Sequence, residues 1–379
     1  MIYFDHAATT PPYEDVAKTV AEVMARHYGN PSSLHRLGEE SAKLLDKARE
    51  VSAATLGVRP REIVFTGGAT ESNNMAIKGA ALQFAGRGKH LITTATEHPS
   101  VLESVKQMAS WGWEATLLPV DGNGCVTAEQ VRAAVRPDTV LVSVMHVNNE
   151  TGTVQPVGEI GRMLKAAAPR VLFHVDGVQG FGKLPISLAD SGIDLYSLSA
   201  HKLRGPKGVG LLYVREGLQL APLLAGGGQE GGYRSGTENI PYIVAFSKAL
   251  RLAAEGREAR SSKLYRLRER LTLGLAELTE LTVNSPAQGA PHIVHFSYPG
   301  MKAEALLHML EEEGFFVSTR SACSSKRSEP SRVLLAMGKS KEVASAGIRI
   351  SLGDEHEERD IDALLAALRK SVTRLQALR

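Results

Sequence analysis

Cysteine is nearly missing from this chain, with two in 379 residues. Two thiols as far apart as Cys125 and Cys323 make no disulfide framework, and such usage predicts a reducing, cytoplasmic setting. No apolar run approaches membrane-spanning length. The N-terminus lacks a charged segment followed by an apolar core, so no secretory signal is expected. Net charge is only +3 and no basic tract stands out, so the footprint of direct nucleic-acid binding is missing. No repeat or low-complexity segment interrupts the chain. What is present is a chain that is 43% hydrophobic and long enough for two domains with sizeable cores.

Strand-like and helical stretches alternate from about residue 16 to 250, which predicts an α/β layer architecture. Strands are expected near Ile63–Phe65, His90–Thr93, Val140–His146, Arg170–Val175, Asp194–Leu198 and Gly208–Val214. The leucines between residues 246 and 280, set among charges, predict one long amphipathic helix bridging two domains. A smaller α+β unit follows, with strands near His292–Ser297, Phe315–Thr319 and Gly347–Ser351. The expected division is a large domain over 16–250 and a small one made of 1–15 and 251–379. His292 and His295 fall on opposite faces of a strand with a period of two, which disfavours a shared metal site.

The apolar run Asp194–Leu198 ends in Ser199-Ala200-His201-Lys202. A lysine at a strand's polar end can form a Schiff base, with hydroxyl and imidazole donors holding an anion close by, which suggests pyridoxal phosphate. The preceding run, Val171 to Val175, ends in Asp176. A carboxylate there can keep a pyridine nitrogen protonated, although capping the next helix is the plainer role. A third run, Ile63-Val64-Phe65, leads through Thr66-Gly67-Gly68-Ala69-Thr70 into a helical stretch. Unpaired N–H groups, the helix dipole and close backbone approach at the glycines favour a phosphate there. His98 follows the strand near Thr93, placed to stack on a ring or move a proton.

With these motifs in order, the chain resembles the cysteine desulfurases, pyridoxal-phosphate enzymes of fold type I in the class V aminotransferase superfamily. The resemblance runs nearly end to end. It takes in Asp5-His6-Ala7-Ala8-Thr9-Thr10, Gly29-Asn30-Pro31-Ser32-Ser33, the glycine pair, Thr96-Glu97-His98 and His146-Val147-Asn148-Asn149-Glu150. It continues with His174-Val175-Asp176, the lysine motif, Arg234-Ser235-Gly236-Thr237, Ser321-Ala322-Cys323 and Arg349-Ile350-Ser351. His6 departs from it, because the family more often carries Asn or Tyr there, and it receives no role.

The resemblance implies a mainly parallel sheet flanked by helices, a smaller α+β domain, and conversion of L-cysteine to L-alanine with sulfur held as a persulfide on Cys323. It implies that Lys202 carries the cofactor and moves the Cα proton, that Asp176 faces the ring nitrogen, and that His98 stacks on the ring. Gln179 and Asn149 are expected near the ring hydroxyl. Ala69, Thr70, Ser199, His201 and Thr237 of the partner subunit in a homodimer are expected on the phosphate. Arg349, helped by Asn30, is expected on the substrate carboxylate. Relatives deliver sulfur to iron–sulfur scaffolds, tRNA thiolation enzymes and thiamin synthesis.

The cysteines separate on context. Cys125, in a turn-rich stretch with no base beside it, reads as structural. Cys323 sits among small polar residues and cations, which favours thiolate, exposure and mobility over about 322–330, before a helix beginning near Ser331. The loop resembles the persulfide-carrying loop of the group with a long catalytic segment. A selenocysteine or cystine lyase, an aminotransferase and a noncatalytic sulfur-relay scaffold remain as alternatives.

Overall fold

The computed structural model describes residues 1–319 and 329–377. The expected loop around Cys323, residues 320–328, lies outside the described residues. Among those described are twelve strands: β1 (Ile2–Tyr3), β2 (Ile63–Thr66), β3 (His90–Thr94), β4 (Glu114–Leu118), β5 (Thr139–Met145), β6 (Leu172–Asp176), β7 (Leu195–Ser199), β8 (Gly210–Val214), β9 (Thr282–Val283), β10 (Ile293–Ser297), β11 (Phe315–Phe316) and β12 (Gly347–Ser351).

Seven of them form one sheet in the order β2-β8-β7-β6-β5-β3-β4. All its neighbours are parallel except that β8 runs antiparallel to both β2 and β7. β5, Thr-Val-Leu-Val-Ser-Val-Met, is buried at every position, as a parallel strand covered by helices on both faces must be. Alternate residues feed two cores. Val142, Val144, Phe173, Val175, Tyr196 and Leu198 belong to one, while Leu141, Leu172, Leu195 and Leu212 belong to the other. That is the period of two read in three dimensions.

A three-stranded antiparallel sheet, β12-β10-β9, carries a separate core with the helices Arg257–Ala276, Ala303–Glu312 and Glu358–Gln376. Phe4 joins this core and β1 pairs with β11, so the chain's first residues are tied to its last quarter. His6 lies 2.9 Å from Glu355, and His356 accepts from the Gly353 N–H while lying 3.1 Å from the Tyr3 carbonyl. The single helix expected over 246–280 is two helices, Ile240–Ala254 and Arg257–Ala276. The break falls where Glu255 is extended and Gly256 is left-handed at φ 66°.

Three imidazoles are sealed into this frame. His174 in β6 lies between the hydroxyls of Ser143 and Ser197, at 2.8 and 2.9 Å. Burial pushes it down to about 3, His295 in β10 to about 3 and His146 to about 4. Glu97, after β3, is fully enclosed, and burial pushes its carboxyl up to about 8 against hydrogen bonds from the Met145 N–H and the Thr94 hydroxyl.

The histidines are neutral in the fold and take protons on unfolding below about pH 6.5, so their contribution is present above that pH and lost as pH falls. Glu97 has the opposite sign, because the fold holds its proton between about 4.5 and 8. Burial also lowers His201, His292 and His356, so the protons taken up by histidines on unfolding outnumber the one that Glu97 gives up, and stability falls as the pH drops. The urea midpoint, followed by tryptophan fluorescence, is expected to fall steeply from pH 6.5 to 4.5. A flat profile across that range would contradict these assignments.

Candidate active site

Parallel pairing of β6 with β7 brings the ends of both strands to one edge of the sheet, the edge where open α/β folds place ligands. Asp176 is the last residue of β6. The chain turns immediately after it at Gly177, where a Cβ would fall 2.0 Å from the Tyr196 ring, so only glycine fits. Asp176 Oδ1 accepts from the Val178 N–H at 3.1 Å, and Oδ2 accepts from Asn73 Nδ2 at 2.8 Å. β7 ends at Ser199, and a single 3-10 turn, Ala200–Lys202, follows. The Lys202 ammonium donates to the carbonyls of Ala7 and Ala8 at 2.5 and 2.6 Å. The N-terminal segment therefore reaches from the small sheet to the lysine.

The glycine pair is where the sequence places it. Gly68, at φ 147°, precedes the helix Ala69–Gln83, and no side chain caps that helix. The helix's own ladder begins with the Ser72 N–H to the Gly68 carbonyl, so the N–H groups of Ala69, Thr70 and Glu71 lie outside it. This donor set suits a phosphate. Glu71 accepts from the Gly67 N–H and is paired with Arg234, which fixes the glycine turn.

His98 is the N-cap of the helix Pro99–Ser110, its Nδ1 accepting from the Ser100 N–H. Its pKa is held down by burial first, with the charges of Lys202 and Arg332 adding to that effect and Asp176 opposing it. His201, beside Thr9 at 3.2 Å, is pushed down to about 4 by burial and by Lys202 and Lys207. Burial favours the protonated, uncharged form of the nearby Glu97 carboxyl at neutral pH.

The remaining expected residues divide. Gln179 donates to the Ala7 carbonyl at 2.9 Å and lies 3.2 Å from His292 Nε2, so its amide joins the N-terminal segment to β10's approach. Arg349 on β12 is fully buried. It donates to the Asn149 carbonyl at 2.7 Å and to Asp5 at 2.8 Å, which uses two of its five N–H groups. Asn149 is held in place by its neighbour, since Asn148 Oδ1 accepts from the N–H groups of Glu150 and Thr151. Thr70, Asn30 and Thr237 are exposed. Asn30 accepts from the Ser32 N–H and makes no hydrogen bond to the residues above among those described. Cys125 donates to the Val154 carbonyl, and burial raises its pKa, the environment of a structural thiol.

Asn73 and Ser100 were not singled out from sequence, and Asp5 and His292 were not expected at this site. Asn73 lies one turn beyond Ala69 on the same helix, but it stands among other polar residues, Glu71, Ser72 and Asn74, so the sequence does not mark it out.

The matches to known proteins fit this geometry. Residues 2–364 match the class-V aminotransferase family. The chain is 43% identical over 383 residues to a cysteine desulfurase IscS of Klebsiella pneumoniae, covering all of this chain and 94% of that protein. Another cysteine desulfurase IscS, from Methanosarcina thermophila, is 41% identical over 376 residues, 99% of this chain and 93% of the relative. The chain belongs to the cysteine desulfurase branch of the class-V aminotransferases. Among solved structures, a NifS-like protein superposes with a TM-score of 0.92 at 39% identity, over 98% of this chain and 99% of the other. SspA in complex with cysteine gives 0.81 at 36% identity over 93% and 99%.

The family depends on pyridoxal phosphate, and the residues fit that group. An acceptor-only carboxylate waits at the end of β6, an amine follows β7, and an uncapped helix start stands on β2 of the same sheet. No helix among the described residues is long and apolar enough to cross a membrane.

Proposed function

We propose that this chain is a cytoplasmic, homodimeric cysteine desulfurase that converts L-cysteine to L-alanine and holds the sulfur as a persulfide on Cys323. The observation carrying the reading is the convergence of Asp176, His98 and Lys202 at one sheet edge beside the open helix start at Gly68. The cysteine found in the related SspA structure supports the substrate.

Bound pyridoxal phosphate supplies a pathway for electron density away from the substrate's Cα. Ala69, Thr70, Ser199, His201 and Thr237 of the partner subunit would hold its phosphate, and Asn149 and Gln179 its ring hydroxyl region. Asp176, already restrained by Val178 and Asn73, stays an acceptor for the ring nitrogen. Lys202 takes the proton from Cα and returns one, acting from a position that the Ala7 and Ala8 carbonyls define. Arg349, with Asn30, orients the substrate carboxylate.

The thiolate of Cys323 forms an S–S bond to the substrate sulfur as the substrate's Cβ–S bond breaks. L-cysteine plus Cys323–SH then equals L-alanine plus Cys323–S–SH, which balances without an outside oxidant. An iron–sulfur scaffold or a tRNA thiolation enzyme would take the sulfur. The work is divided between a cofactor domain over 16–250 and a small domain of 1–15 and 251–379, which carries Cys323.

The test is incubation of the cofactor-loaded protein with L-cysteine in the absence of any keto acid. Alanine equal in amount to the sulfur released is expected. Alanine that appears only after a 2-keto acid is added would make the protein an aminotransferase instead.

A further inference from the structure

The imidazole of His98 sits in an asymmetric environment that decides which nitrogen carries its proton. The Ser100 backbone N–H lies 3.2 Å from His98 Nδ1. A backbone N–H can only donate, so Nδ1 is the lone-pair nitrogen and Nε2 bears the hydrogen. The Ser100 hydroxyl is 2.8 Å from the same Nδ1.

The direction of that second bond is fixed from further back. Asn73, fully buried, places Nδ2 at 2.8 Å from Asp176 Oδ2 and at 2.9 Å from Ser100 Oγ. An ionised carboxylate only accepts, which settles the orientation of the Asn73 amide. Because the other Asn73 N–H goes to Ser100 Oγ, the hydroxyl hydrogen is free to point at His98 Nδ1. One amide thus touches both the acid at the end of β6 and, through one hydroxyl, the histidine on the neighbouring helix.

We infer that Asn73 and Ser100 are positioning residues that lock His98 as its neutral Nε2–H tautomer and tie it to Asp176. The inference rests on the reading of Asp176 and His98 as cofactor residues only for its catalytic meaning, because the bonds are among the chain's own residues. Protonating Nδ1 would set N–H against the Ser100 N–H, and a positive charge there opposes the dipole of the helix that His98 caps. The Nε2–H is a hydrogen-bond donor and cannot accept a proton. With Nδ1 held as the acceptor of the Ser100 donors, the Cα proton falls to Lys202 in the proposed reading. This narrows the proton-moving role that the sequence suggests for His98.

The test is nitrogen NMR of protein labelled with 15N-histidine, with the His98 signals assigned through His98→Gln, in both the cofactor-loaded and the cofactor-stripped protein. The wild type is expected to show Nδ1 as an unprotonated, pyridine-like nitrogen and Nε2 as N–H, with no titration between pH 6 and 8. Ser100→Ala removes one of the two Nδ1 donors and should raise the His98 titration midpoint by about one pH unit. Ser100→Thr, which restores a hydroxyl, should return it. Asn73→Ala, which frees the hydroxyl to rotate, should shift the Nδ1 signal in the same direction as Ser100→Ala. An Nδ1–H tautomer in the wild type, or a wild-type midpoint between 6 and 7 that Ser100→Ala leaves unmoved, would overturn the inference. Because the stripped protein gives the same readout, failure of the cofactor assignment would leave the tautomer result standing.

Discussion

Lys202→Ala should leave a protein that folds, binds pyridoxal phosphate reversibly and does not turn over L-cysteine. The uncapped start of the helix Ala69–Gln83, the Asp176 carboxylate and His98 are all retained in that variant. The amine is lost, and with it both the proposed covalent attachment and the proposed mover of the Cα proton. A positioned acid–base group alone accounts for about 10²- to 10⁴-fold in rate, so alanine formation should fall below detection in an end-point assay. Borohydride reduction followed by peptide mass spectrometry should find the cofactor fixed to Lys202 in the wild type and fixed to no residue in the variant. Alanine release at near wild-type rate would show that another amine does this work.

Asp176→Ala should be nearly as damaging by a different route. The carboxylate accepts from Val178 and Asn73 inside a buried region, and in the proposed reading it also faces the ring nitrogen and keeps its proton in place. Removing one member of a buried charged pair costs about 3–5 kcal/mol, which corresponds to about two to four decades in rate. The loss should fall on kcat, while covalent attachment through Lys202 persists. A kcat within threefold of wild type would remove Asp176 from the ring nitrogen.

The positions of both residues, at or just past the ends of their strands, were legible before the fold was known, and for the same reason. Each is a polar residue closing an apolar run, and parallel strands bring such ends to one edge. The helix expected near Ser331 was legible too. Ser331 caps the helix Arg332–Ala336 by accepting from the Leu334 N–H. Edge strand β4 was not read, because its outward positions are exposed and its pattern is not that of a buried run. Nor does any periodicity reveal that β8 runs against its neighbours.

What the sequence hides most thoroughly is pairing at a distance. Asn73 meets Asp176 across 103 residues, and Arg349 meets Asp5 across 344. Arg349 stands out in sequence as an open fork for a carboxylate. In the fold it is already engaged with Asp5 and the Asn149 carbonyl, so a substrate must bind to its remaining N–H groups or compete with Asp5. The break at Gly256 is a subtler case. Leucines on both sides keep a helical spacing, and only the left-handed backbone at the glycine separates two helices where the pattern suggests one.

The central claim is that sulfur leaves L-cysteine for Cys323. It is tested most directly by reacting the cofactor-loaded protein with one equivalent of L-cysteine, alkylating at once, and locating the added sulfur by peptide mass spectrometry, beside Cys323→Ser. The predicted result is a sulfur mass increment on Cys323 and none on Cys125, whose thiol burial holds protonated. Alanine should match the modified cysteine, and Cys323→Ser should still change the cofactor's absorbance on adding cysteine while forming almost no alanine. Sulfur found on Cys125, or full alanine production by Cys323→Ser, would contradict the account.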